Sequence, residues 1–173
     1  MERGRVRRSS DKYDTAVRSH PIIQQEGSRT GCPFHCQNEE EKSMSAPTAN
    51  EPFFELLGLQ PEEVRPDFGS MRLPFKADLQ QARGLVHGGA IASLIDSAGV
   101  LAIKATFPDA IGGATVSMTV NYLAPARQID LTAEARIIRR GRSIVFLDVD
   151  VLAPDGERVA KGQLTYKVTY KKE

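Results

Sequence analysis

Residues 88–106 read GGAIASLIDSAGVLAIKAT, and this stretch decides the fold. After the two opening glycines, small and apolar residues occupy nearly every face of a helix predicted over residues 90–106. The segment is too short, and too interrupted by Asp96 and Lys104, for a membrane-spanning helix to be expected. Because a helix that is apolar almost all round has to be buried, other elements of the chain must wrap it.

Alternating apolar and polar residues on both sides of this segment predict β-strands. The predicted strands cover residues 68–76, 114–123, 131–137, 143–152 and 159–170. Turn signals at residues 140–142 and 154–156 separate the last three of them. A short helix is predicted from Pro52, with Asn50 as the candidate N-cap and Gly58 as its stop.

The order of these elements predicts an α+β domain in which one curved antiparallel sheet wraps one long buried helix. A length of 173 residues suits one such domain, over residues 51–173, together with a tail. The helix face that the sheet leaves open needs another layer, most simply a second copy of the protein.

Composition and charge exclude several classes of protein. The formal net charge is +1, which gives no support for a basic nucleic-acid surface or a polybasic membrane patch. The basic N-terminus is followed by no apolar segment, so a secretory signal is not expected. We therefore expect a cytoplasmic enzyme without nucleic-acid or membrane partners.

Residues 1–50 are polar and show no helical or strand period, so they are predicted to be a disordered tail. One interpretation is that translation could also start at Met44, and the other is that the segment is a genuine mobile extension. Two cysteines, Cys32 and Cys36, flank His35, but the spacing is poor and a fourth ligand is missing. Neither a disulfide framework nor a metal site is expected there.

Four polar features converge on the junction between loop and helix. Gly88 and Gly89 allow close approach to backbone N–H groups at the positive end of the helix, where an oxyanion can bind. Asp96 lies in an otherwise apolar helix, where a carboxylate is costly unless it is paired or used. Gln81 and Thr115 supply an amide and a hydroxyl nearby in the predicted fold.

Each feature also has a structural interpretation. The glycines could form only a tight turn, and Asp96 could be a buried acid satisfied by backbone or serine groups. His87 is better explained as an orienting or core histidine than as a base. Gln81 and Thr115 indicate nothing when taken alone, so the argument depends on their combination.

Taken together, these residues resemble a known family. GLVHGGAIASLIDSA at residues 84–98 resembles the signature of hotdog-fold thioesterases of the phenylacetic-acid-degradation (PaaI) type. NYLAPA at 121–126 is similar to that family's strand end, and RRGRS at 139–143 to its glycine turn. The resemblance covers about residues 51–170 and implies a hotdog fold with acyl-CoA thioesterase activity.

The resemblance also implies roles for individual residues. Gly88, after the motif histidine His87, would donate its N–H to the thioester carbonyl, and Asp96 would act as nucleophile or as general base on water. Gln81 would help to hold the carbonyl or the water; many relatives have Asn there, whereas a hydroxybenzoyl-CoA branch has Gln. Thr115 matches a hydroxyl that supports the acid or the water.

Substrate binding is expected around the helix and one hairpin turn. The expected substrate-binding residues are Gly89, Val100, Arg139, Arg140, Gly141, Arg142 and Ser143. Arginines suit the phosphates of CoA, although a solvated turn explains the hairpin equally well. Val100 replaces a hydroxyl residue of the hydroxybenzoyl-CoA branch, so the acyl group stays open. No cofactor is expected beyond CoA, which is part of the substrate.

The family resemblance further implies that Asp96 faces Gly88 and Gln81 of a partner subunit, in a homodimer or a dimer of dimers. Two rival functions remain. A non-catalytic acyl-CoA sensor would usually add a DNA-binding helix-turn-helix, for which residues 1–50 show no helical period. A hotdog dehydratase would need a catalytic histidine paired with an acid in other motifs, and the sequence contains none that we recognise.

Overall fold

The structure is a computed structural model that describes residues 51–172. The predicted tail, the alternative start at Met44 and the Cys32–Cys36 motif lie outside the described residues. In chain order the elements are α1 (Pro52–Leu57), β1 (Gln60–Arg65), β2 (Phe68–Leu73), a 3₁₀ turn (Ala77–Leu79), α2 (Gly88–Thr106), β3 (Gly112–Tyr122), β4 (Leu131–Arg140), β5 (Ile144–Leu152) and β6 (Arg158–Thr169).

The six strands form one sheet in the order β1-β2-β4-β5-β6-β3, and every neighbouring pair is antiparallel. The 19-residue helix α2 packs against the sheet and supplies ten of the buried residues. Fully buried side chains such as Leu94, Ile95, Leu147 and Val149 fill the space between them. The predicted α+β hotdog architecture is therefore confirmed.

Two glycines let the sheet approach the helix closely. A Cβ on Gly69 of β2 would lie 2.7 Å from the backbone nitrogen of Ala102 and 2.8 Å from the Cβ of Leu101. A Cβ on Gly162 of β6 would lie 2.4 Å from the Ile95 side chain. No real side chain tolerates such distances, so both positions require glycine for contact between strand and helix.

One face of α2 remains half-buried in the single chain. Asp96, Val100 and Lys104, spaced by four residues, define this open stripe. At its far end Lys104 Nζ lies 3.0 Å from Glu51 Oε1. By length and composition alone α2 is long and apolar enough to cross a membrane, but 56% of its 18-residue apolar window is buried inside the domain. Contact with the sheet accounts for its apolar character.

The observed elements differ from the predicted ones at several ends. β1 was not predicted, because Gln60–Arg65 is exposed at every position and carries no apolar alternation. The cap residue of α1 is Glu51 rather than Asn50, and it makes no side-chain cap bond, whereas Gly58 ends the helix at φ 73° as predicted. β2 stops at Leu73, before Pro74, which has no N–H for the ladder.

The predicted faces of β3 need a correction. A bulge at Val116, between Thr115 and Ser117, shifts the alternation by one residue. Thr115 lies opposite Tyr166, and Tyr122 lies opposite Ala160, both of which are buried residues facing the helix. Thr115 and Tyr122 therefore share the helix-facing side, whereas simple alternation had placed them on opposite sides.

Substituting Gly69 by alanine tests the close approach of β2 to α2. The added methyl would press on the helix backbone, so Gly69→Ala should lower the free energy of unfolding by about 1–3 kcal/mol. Gly112→Ala is the matched control, because a Cβ there meets nothing within 4 Å. Urea denaturation measures both variants, and equal midpoints would contradict the proposed packing constraint.

Candidate active site

The start of α2 leaves one backbone donor unpaired. His87 is the N-cap, and its Nδ1 accepts the Gly89 N–H at 2.9 Å. The N–H groups of Ala90 and Ile91 donate to the His87 carbonyl at 2.9 and 3.2 Å. The first four N–H groups of a helix, here those of His87 to Ala90, have no partner four residues earlier in the helix. Within residues 51–172 only the Gly88 N–H of these four finds no acceptor, and it points out from the positive end of the helix dipole.

Neighbouring segments hold this helix start in place. The His87 N–H donates to the Leu79 carbonyl at 2.7 Å, and the Val86 N–H donates to the Ala126 carbonyl at 2.9 Å. The Tyr122 hydroxyl donates to the Gly88 carbonyl at 2.9 Å. His87 is thus an exposed capping residue, not a core histidine, and its orienting interpretation agrees with this geometry.

Asp96 lies two turns into α2 and is half-buried, less enclosed than the sequence suggested. The Thr115 hydroxyl donates to its Oδ1 at 2.7 Å. Among the hydrogen bonds of the described residues none uses Oδ2, which is free to act on a substrate or a water. The structure therefore brings together two of the predicted site residues, Asp96 and Thr115.

Tyr166 of β6 is a neighbour of this pair that the sequence did not single out. It is buried and lies in register with Thr115. Burial, followed by the negative charges of Asp96 and Glu51, raises the pKa of Tyr166 above its usual range. The phenol therefore stays protonated at neutral pH and is not a base.

The acid and the free donor are far apart in one chain. Asp96 follows Gly88 by eight residues, which corresponds to about 12 Å along the helix at 1.5 Å per residue. β3 contacts both, through Thr115 at Asp96 and through Tyr122 at Gly88. A single chain therefore does not place its own acid beside its own donor.

Three other predicted site residues make no hydrogen bond through a side chain of their own among the described residues. They are Gln81, Gly89 and Val100. The Gln81 N–H donates to the Leu85 carbonyl at 2.8 Å, and its carbonyl accepts the Gly84 N–H at 3.0 Å. Its side-chain amide is exposed and unpaired within the described part of the chain. Val100 lies on the open stripe one turn beyond Asp96. The Gly89 N–H donates to His87 Nδ1 and is therefore not available to a ligand.

Of the three arginines at the hairpin between β4 and β5, Arg140 forms an ion pair with Asp67. Arg140 Nε donates to Asp67 Oδ1 at 2.6 Å, and its Nη2 contacts the other carboxylate oxygen. The hydrogen bond from Arg140 is the main cause that lowers the pKa of Asp67. Arg139 and Arg142 are exposed, and neither has an ion pair in residues 51–172. The Gly141 N–H closes the turn by donating to the Ile144 carbonyl, and the Ser143 carbonyl accepts from the Val168 N–H of β6.

The outer face of the sheet carries a shallow groove away from these residues. Its lining includes Ser117, Thr119, Ile138, Phe146 and Gln163. None of the predicted site residues contributes to it, and the acid in its lining, Asp148, is paired with Lys161. The chemistry of the helix start therefore locates the candidate site better than the shape of this groove.

Comparisons with known proteins agree on the class of enzyme that this chain resembles, the thioesterases and esterases. A family model described as the thioesterase superfamily matches residues 83–160. A protein of Halobacterium salinarum, provisionally named an esterase, is 34% identical, with 65% of this chain and 82% of that protein covered. Human acyl-coenzyme A thioesterase 13 is 31% identical over 49% of this chain and 61% of its own length.

Solved structures share the fold. A conserved protein of Pseudomonas aeruginosa has a TM-score of 0.66 and 30% identity, covering 69% of this chain and 94% of that one. The phenylacetic acid degradation protein PaaI of Thermus thermophilus has a TM-score of 0.63 and 27% identity, covering 69% and 99%. This chain belongs to the thioesterase superfamily, with the PaaI-like hotdog fold, and is a thioester hydrolase.

Removing the cap at the helix start should cost stability. His87→Ala deletes the acceptor of the Gly89 N–H, and the expected loss is about 0.5–2 kcal/mol in the free energy of unfolding. His87→Asn is the matched control, because an asparagine oxygen also caps helices. Chemical denaturation that finds alanine as stable as asparagine would contradict a capping role for His87.

Proposed function

We propose that the protein hydrolyses acyl-CoA thioesters, with Asp96 as the catalytic carboxylate and the Gly88 N–H as the donor to the thioester carbonyl. The observation that carries the proposal is the pairing of Asp96 with Thr115, together with a Gly88 N–H at the helix start that has no acceptor within residues 51–172. The similarity to acyl-coenzyme A thioesterase 13 supports CoA as the thiol half of the substrate.

The chemistry requires few groups because a thioester carbonyl is already electrophilic. The Gly88 N–H donates to the carbonyl oxygen and stabilises the charge that develops there. Asp96 then acts in one of two ways. It attacks the carbonyl carbon, expels CoA as the thiolate and forms an anhydride that water cleaves, or it takes a proton from water as that water attacks.

Thr115 suits either route. Its hydroxyl occupies Oδ1 of Asp96, which fixes the carboxylate and leaves Oδ2 for the reaction. The neutral phenol of Tyr166 adds no charge beside the acid. Gln81 presents a side-chain amide that has no partner within residues 51–172 on the turn before the helix, where it can hold the carbonyl or the attacking water.

The open edge of the sheet supports a shared site. β3 is an edge strand of 11 residues most of whose apolar side chains are exposed, with Val116 at 55% and Tyr122 at 54%. Such an edge is a ready template for pairing with another chain. The opposite edge, β1, carries Pro61 and charged residues, which protect an edge against pairing. We infer that the second copy pairs along β3.

The positions of Thr115 and Tyr122 on β3 indicate the register of that pairing. An antiparallel pair with its two-fold axis at Thr119 sets Thr115 opposite the partner subunit's Tyr122, once the bulge at Val116 is included. Because Tyr122 contacts Gly88 within each chain, this register brings the partner subunit's helix start beside Asp96. The dimer then contains two equivalent sites.

For the phosphates of CoA, the ion pairing favours two of the three hairpin arginines. Arg140 is held by Asp67, whereas Arg139 and Arg142 remain exposed. Guanidinium groups bind phosphate oxygens in pairs, so Arg139 and Arg142 are the proposed phosphate contacts. A non-catalytic acyl-CoA-binding module is the alternative function, but it gives no reason to fix an acid beside Thr115.

Release of free thiol from a panel of acyl-CoA substrates tests the proposal. Asp96→Asn keeps an oxygen for the Thr115 bond and removes the carboxylate, so kcat should fall by roughly 10²–10⁴-fold. Binding without turnover by the wild-type protein would favour the acyl-CoA-binding module. Wild-type kcat in Asp96→Asn on the best substrate would refute the assignment of the acid.

The backbone donor can be removed as well. Gly88 is the first residue of α2, where proline is favoured, and His87 has the extended conformation that proline requires before it. Gly88→Pro deletes the N–H and should lower kcat by roughly 10²–10³-fold. Gly88→Ala is the control, since it adds a Cβ at the same place and keeps the N–H. Equal kcat in the two variants would contradict the role of the donor.

A further inference from the structure

Tyr122 reaches from the end of β3 to the helix start. Its hydroxyl donates to the Gly88 carbonyl at 2.9 Å. The hydroxyl end of its ring lies beside the same residue, since a Cβ on Gly88 would be 3.2 Å from the ring Cζ and from the hydroxyl oxygen. The side chain is 54% exposed, so burial does not account for its position. The contact is directed at the residue that carries the free N–H.

The hydrogen bonds around Gly88 restrain both peptide groups that flank it. The carbonyl of His87 accepts from Ala90 and Ile91, and the carbonyl of Gly88 accepts from Tyr122. The peptide between Gly88 and Gly89 is bonded on its other side as well, because the Gly89 N–H donates to His87. Two adjacent glycines would otherwise give this turn wide conformational freedom.

The segment that follows Tyr122 also contacts the chain that leads into the helix. The Val86 N–H donates to the Ala126 carbonyl at 2.9 Å, and the Leu123 N–H donates to the Val159 carbonyl of β6 at 2.8 Å. Tyr122 is therefore anchored to the sheet, and its hydroxyl transmits that anchoring to Gly88. A donor that is fixed before the substrate arrives stabilises charge better than one that must reorient.

We propose that Tyr122 is a positioning residue, whose hydroxyl holds the peptide group between Gly88 and Gly89 and thereby helps to keep the adjacent Gly88 N–H directed toward the thioester carbonyl. The inference rests on the proposed function of Gly88 and goes beyond it by assigning the group that orients the donor. Tyr122 acts through Gly88 and makes no contact with the substrate. Loss of the Tyr122 hydroxyl should therefore reduce the stabilisation of the transition state and leave substrate binding in the ground state nearly unchanged.

Tyr122→Phe tests the inference, because it removes the hydroxyl and keeps the ring. The loss of one hydrogen bond predicts a fall in kcat of roughly two- to tenfold, with KM unchanged. Tyr170→Phe is the matched control, since it removes a phenol hydroxyl from another exposed position near a strand end. A rise in KM at constant kcat would make Tyr122 a substrate contact and overturn the proposal.

A double-mutant cycle separates positioning from a general structural effect. Once Gly88→Pro has removed the N–H, Tyr122→Phe should lower kcat no further, because no donor remains to be oriented. An equal fall in both backgrounds would overturn the proposal. The proposal would also be overturned if Tyr122→Phe kept the wild-type kcat while Gly88→Pro lowered it. Full turnover in Gly88→Pro would instead refute the proposed function, together with everything that rests on it.

Discussion

The structure depends on the burial of one helix that is apolar on nearly every face. A single sheet covers most of α2, and it comes close enough only because Gly69 and Gly162 place no side chain between strand and helix. The sheet ends at β3, so the stripe through Asp96, Val100 and Lys104 is left half-covered. The incomplete wrapping that leaves this stripe half-covered also leaves the one acid of the helix accessible.

The edge strand β3 connects this packing to the chemistry. It holds the acid through Thr115 and the helix start through Tyr122, so both groups of the proposed site are fixed by the same strand. The helix dipole, the His87 cap and the surrounding backbone bonds then leave the Gly88 N–H as the one unpaired donor of the first turn in the described chain. In the proposed dimer each edge strand would serve both sites.

Much of this architecture was predictable from the sequence. The apolar segment over 90–106 and the alternating strands gave the fold, because burial imposes those periods strongly. The pairing of Asp96 with Thr115 was anticipated only as part of a family resemblance. β1 was missed because an exposed edge strand needs no apolar alternation, and its six residues carry none.

Other parts depend on tertiary contacts that leave no local signal. The bulge at Val116 turns Thr115 to the side of Tyr122, and simple alternation cannot reveal an inserted residue. Tyr122 therefore went unrecognised, although it lies in the strand end on which the resemblance partly rested. Arg140 looked equivalent to its neighbours in sequence, yet Asp67 holds it from 73 residues away.

The central claim is that the acid and the donor of one site come from two chains, and subunit mixing tests it most directly. The Asp96→Asn protein and the Gly88→Pro protein are mixed in equal amounts under conditions that exchange subunits. In a mixed dimer one site carries both defects, and the other has an intact acid and an intact donor. Random exchange then predicts recovery of about a quarter of wild-type activity from two nearly inactive parents. If each chain instead builds its own site, every site in the mixture keeps a defect, and activity that stays at the level of the parents would contradict the account.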